Sequence, residues 1–105
     1  MTLNGFIQLI QEIDPSAERY DAIGQPGDKY TVYTDYMHTT LCADDGVAER
    51  IQHVQVEYYT DDEDDPVAQR YLDAFSERGE IYLTYDKDFD AQSRRIRHLY
   101  DCEVA

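Results

Sequence analysis

Between Tyr30 and Pro66 the chain reads as three β-type runs, interrupted by an Asp-Asp-Gly turn at 44–46 and closed by an acidic tract that leads into a helix. Tyr30 to Tyr36 is rich in tyrosine, threonine and valine, and Met37 to Ala43 carries on the same propensity after a break or bulge. The turn follows. From Ala48 to Thr60, Val54, Val56 and Tyr58 share one face, whereas Ile51 has the opposite parity and predicts a bulge or twist midway. A long antiparallel hairpin over about residues 30–60 is therefore expected, and it must bury one face against something.

The flanking segments supply that cover. Leu3, Phe6, Ile7, Ile10 and Ile13 recur at spacings of three and four, the period of an amphipathic helix, and Pro15 ends it by pushing Asp14 out of helical geometry. A Gly- and Pro-containing loop precedes Tyr30, with a short irregular strand expected near Tyr20–Ile23. Asp65 before Pro66 reads as an N-cap with proline at the first helical position. The predicted helix runs to about Arg78, with Val67, Tyr71, Leu72 and Phe75 as its buried stripe and Gly79 as its stop. Two strands follow, Ile81–Tyr85 and Arg94–Val104, joined by a loop over 86–92. In the last strand Ile96, His98, Tyr100, Cys102 and Val104 alternate with Arg95, Arg97, Leu99, Asp101 and Glu103, giving one mainly apolar and one mainly charged face. The order α-β-β-β-α-β-β predicts an α+β fold, an antiparallel sheet with two helices packed on one face.

At 105 residues the chain fits one domain, residues 1–105, whose limited stability favours association with its own copies. Its net charge of −14 argues against binding nucleic acid through phosphate contacts. The charge belongs to the whole chain: residues 1–52 carry 9 acids and 3 bases, and 53–105 carry 14 acids and 6 bases. The N-terminus lacks the basic and apolar regions of a secretory signal, and no stretch has the apolar length of a membrane span, so a cytosolic site of synthesis and no membrane partner are expected. Cys42 and Cys102, 60 positions apart without metal-site spacing, read as reduced, half-buried strand cysteines.

No catalytic signature is present, and no enzyme activity, cofactor or metal is expected. Asp86, Asp88 and Asp90 begin like a calcium loop, but Ala91 stands where the sharp turn needs glycine and Arg97 where a bidentate glutamate belongs. His38, His53 and His98 have neither metal-pair spacing nor an adjacent nucleophile, and Ser16, Ser76 and Ser93 lack a nucleophile-elbow context. Ten tyrosines without a tryptophan read mostly as sheet and core residues, with a surplus suited to an interface. The acidic tract Asp61, Asp62, Glu63, Asp64 and Asp65 reads as a solvated loop capping the helix, and Arg94, Arg95 and Arg97 form the one dense basic cluster. Together they are a candidate subunit or partner interface, the arginines of one copy meeting the acids of the next.

Tyr-Thr-Val-Tyr at 30–33, Ala-Asp-Asp at 43–45, Val-Glu-Tyr-Tyr-Thr-Asp-Asp at 56–62 and the ending Tyr-Asp-Cys-Glu-Val at 100–104 carry a resemblance that covers nearly the whole chain. It resembles the small tail-terminator, or head–tail joining, proteins of bacteriophages and prophages. The resemblance implies a structural virion protein that caps the tail tube as a ring, commonly hexameric, and docks to the head connector. It would assemble in the host cytoplasm and end at the tail–head junction. Tail tube protein, neck proteins and copies of itself are the implied partners; a negative lumen would let DNA slide through without sequence-specific binding. The longer loop before Tyr30 and the tyrosine-rich Tyr33–Tyr36 depart from the family's phrasing. Two alternatives stand beside this reading: an acidic DNA mimic that inhibits a basic DNA-binding protein, and another neck or head-closure component.

Overall fold

A computed structural model describes the backbone of residues 1–20, 28–43 and 46–105, and their side chains apart from those of 37–43 and 46–50. The elements are α1 (Leu3–Ile13), β1 (Glu18–Arg19), β2 (Tyr30–Ala43), β3 (Gly46–Thr60), α2 (Pro66–Ser76), β4 (Ile81–Asp90) and β5 (Arg95–Val104). They form the expected α+β fold in the expected order.

Each helix begins where its cap satisfies a free amide. The Thr2 hydroxyl accepts from the Gly5 N–H at 3.0 Å, and an Asp65 carboxylate oxygen accepts from the Val67 N–H at 2.9 Å with Pro66 at the first position. α1 buries Phe6, Leu9 and Ile10; α2 buries Ala68, Tyr71 and Phe75, with Val67 and Leu72 partly buried beside them. α2 stops at Ser76, two residues before Arg78, when the Glu77 N–H closes onto the Asp73 carbonyl. Gly79 therefore lies in the turn into β4 rather than at the helix cap.

The sheet order is β1-β2-β3-β5-β4. Its four long strands are antiparallel, and β1 adds a short parallel pairing to Val32 and Tyr33, which makes the sheet mixed. β1 precedes the expected Tyr20–Ile23, of which residues 21–23 lie outside the described ones. The β2–β3 register shifts between Asp35 and Met37, so that Tyr36 is the extra residue of a bulge, and again between Leu41 and Cys42.

Both helices pack on one sheet face. Phe6 stacks on Phe75 at 5.2 Å, and the rings of Tyr71 and Tyr100 meet at 5.5 Å above Val54, Val56, Cys102 and Val104, all fully buried. The buried tyrosines place their hydroxyls: Tyr71 pairs with Thr31 at 2.7 Å, and Tyr100 donates to the Ala68 carbonyl at 2.6 Å. A core this rich in tyrosine depends on those pairings, since an orphaned buried hydroxyl costs about 1–3 kcal/mol.

The loop expected over 86–92 is strand for most of its length. Asp86 to Asp90 is not a hairpin loop but the second half of β4, and the turn is confined to 91–94. The cross-strand partners explain it: Asp88 faces Arg97, Phe89 faces Ile96 and Lys87 faces His98, so each acid falls on the helix-free face beside a base or solvent.

Candidate functional site

The acidic tract splits into two unlike parts. Asp61, Asp62, Glu63 and Asp64 are exposed, whereas Asp65 is buried beneath them. One Asp65 oxygen accepts from the Tyr58 hydroxyl at 2.8 Å and the Thr60 hydroxyl at 2.6 Å, and the Lys29 ammonium lies 3.4 Å away. Burial by itself would raise this carboxyl, but the hydrogen bonds from Thr60, Val67, Tyr58 and Lys29 outweigh it and hold the group below the ordinary carboxylate range. Asp65 is thus a buried structural carboxylate bonded within its own chain. The exposed acids also have neighbours: Lys29 stands 3.9 Å from Asp62, and Lys87 stands 3.6 Å from Glu63.

The arginines separate in the same way. Arg97 makes a two-point contact with Asp88, at 2.9 and 2.6 Å, across the β4–β5 ladder. Arg95 donates to the Asp28 carbonyl at 2.8 Å and to the Ser93 carbonyl at 3.0 Å, with its guanidinium 5.7 Å from the Tyr30 ring centre. Both are engaged within the chain. Arg94 sits in the hairpin turn with φ 59° and an exposed side chain. Of the proposed interface residues, Asp65, Arg95 and Arg97 are therefore bound within the chain; Asp61 to Asp64 and Arg94 present exposed charge.

Two grooves of about 340 Å³ each are present among the described residues, one of them lined by Tyr20, Glu57, Tyr59, Asp90 and Ser93. The other, beside the start of α2, holds Glu63, Asp64, Gln69, Lys87 and His98. There the buried His98 pairs its Nδ1 with the Tyr85 hydroxyl at 2.7 Å, and burial, then Lys87, keeps the imidazole below its ordinary value. No serine or cysteine lines that groove. The Cys102 thiol is fully buried and burial pushes it up, away from reactivity; Cys42 and His38 lie outside the described side chains. His53 is buried on the helix-free face, 3.7 Å from Glu103 and beside the Tyr36 ring. Among the described residues no group of three or more His, Cys, Asp or Glu is set to hold a metal ion, and no helix is long and apolar enough to cross a membrane.

Recognition surface is better supplied. The helix-free face carries Tyr82 and Tyr36, 70% and 50% exposed, among Glu57, Asp86, Asp88, Asp90, Asp101 and Glu103. Tyr36 donates to Asp101 at 2.8 Å, and burial together with that carboxylate pushes its hydroxyl up to about 12. Among the described residues, β1 pairs with β2 only at Val32 and Tyr33, and β4 has no outer neighbour. β5 pairs with β3 only from Gln52 onward, so among the described residues Thr39–Ala43 of β2 and Gly46–Ile51 of β3 pair only with each other. Sequence reasoning located this hairpin without revealing how far it outruns the sheet, because that depends on the β3–β5 register. Compared with models of known protein families, with curated proteins and with solved structures, the chain matches none.

Proposed function

We propose that this chain is a structural component of a bacteriophage or prophage virion, a tail-terminator or head–tail joining protein that closes the tail tube as a ring and docks to the head connector. Its role is assembly rather than catalysis. The carrying observation is the hairpin arm, Thr39–Ala43 with Gly46–Ile51, which has no third strand beside it among the described residues. Two-stranded hairpins are marginal in water, so an arm of this length is best accounted for by cover from a neighbouring subunit. The sequence phrases at 30–33, 43–45, 56–62 and 100–104 supply the kind of assembly, and the net charge of −14 suits a lumen through which DNA passes without sticking.

Absolute mass by light scattering after size exclusion, over a wide concentration range, tests the reading. A closed oligomer that binds purified tail tube protein is expected; a strict monomer without affinity for the tube would overturn it. A second reading, an acidic DNA mimic, draws on the acids spread over the helix-free face. It predicts a monomer that binds a basic DNA-binding protein in competition with DNA. A different neck or head-closure component would give a ring that binds connector but not tube.

A further inference from the structure

We infer that the subunits of this ring join edge to edge, the outer edge of β2 in one copy pairing antiparallel with the outer edge of β4 in the next. The inference rests on the ring reading and specifies its contact. β2 and β3, β3 and β5, and β5 and β4 are each antiparallel, so β2 and β4 run in opposite directions. A copy rotated about an axis along the strands therefore brings its β2 beside β4 with the alternation unbroken. Such a head-to-tail contact closes a ring when the rotation closes.

The two edges differ in a way that selects this pairing. Tyr36 to Ala43 has no charged residue and strong β propensity, the kind of edge that soluble proteins cover. β4 carries Asp86, Lys87, Asp88 and Asp90, and acids facing acids disfavour β4 against β4. An uncharged strand meets no such repulsion. β4 also has its backbone ready: the Ala105 N–H donates to the Glu80 carbonyl, so even-numbered β4 residues address β5. By the alternation of an antiparallel ladder, Leu83, Tyr85, Lys87 and Phe89 direct their N–H and C=O outward, with the Lys87 N–H donating to the Asp86 carboxylate at 2.8 Å. Phe89, 64% exposed, lies on this strand and would gain cover from a neighbour.

Charge substitution on β2 tests the contact, with mass in solution as readout and circular dichroism as the check on folding. Thr39→Glu with Thr40→Glu sets acids against the acidic edge and should raise the assembly midpoint concentration at least about tenfold. Thr39→Lys with Thr40→Lys should leave it unchanged or lower it. Phe89→Pro removes an outward N–H at the open side of β4, and should yield a folded monomer. Equal loss of assembly with both charge signs, or an unchanged oligomer in all three variants, would overturn the edge contact while leaving the ring. A wild type that stays monomeric at every concentration would overturn the ring reading and this contact with it.

Discussion

Asp65 concentrates several demands on one carboxylate: it caps α2, accepts from two buried hydroxyls and faces Lys29. Asp65→Ala removes the cap and orphans Tyr58 and Thr60, and should cost about 2–4 kcal/mol in denaturant unfolding. Asp65→Asn keeps a cap and should cost less. Because the folded carboxyl titrates below its unfolded value, its stabilisation is complete above about pH 4 and is lost as pH falls through the folded value. The stability gap between wild type and Asp65→Asn should therefore narrow on acidification; a gap independent of pH would contradict this account. His98 works in a higher window. Its imidazole is held below the ordinary value, so the unfolded chain takes up the proton first and stability falls as pH drops from about 6.5. His98→Gln should give a shallower decline of unfolding free energy between about pH 7 and pH 5.

Local chemistry made the elements legible to different degrees. α2 was readable because Asp65-Pro66 states its start and the 68, 71, 75 spacing states its buried face. The apolar alternation of β5 through Tyr100, Cys102 and Val104 was equally plain, and all three are buried. β4 was cut short because the acids at 86, 88 and 90 resemble a loop by composition. Their period of two, with Lys87 and Phe89 between them, was the strand signal, and composition obscured it. Arg94, Arg95 and Arg97 look like one cluster in sequence, but Arg94 belongs to the turn, and Arg95 and Arg97, which share one face of β5, are taken by different partners, Asp28 and Asp88. The arm was the hardest feature to read, since no local pattern states where a third strand ends. Replacing Thr39–Ile51 by a short glycine-rich turn should leave unfolding free energy within about 1 kcal/mol of wild type, because among the described residues those strands pair only with each other. The same truncation should abolish assembly; a domain that fails to fold would show that the arm supports its own subunit.

At the scale of the molecule, charge opposes both compactness and association. A net charge of −14 on 105 residues is self-repulsion that every fold or ring contact must overcome. Raising sodium chloride from about 0.05 to 0.5 M shortens the screening length to a few ångströms, and should raise the melting temperature of the subunit by about 3–6 °C. Assembly then distinguishes two kinds of junction. If exposed Asp61–Asp64 of one copy met Arg94 of another, salt would weaken the ring. Arg95 and Arg97 cannot strengthen such a contact without leaving Asp28 and Asp88. If instead the uncharged edge of β2 meets the acidic edge of β4, backbone hydrogen bonds and buried side chains hold the junction, and screening only removes the residual repulsion between acidic subunits. The second outcome is expected: the oligomer measured by light scattering should persist or tighten at the higher salt. Dissociation there, with the subunit still folded, would return the junction to ion pairing and leave β2 to face something other than β4.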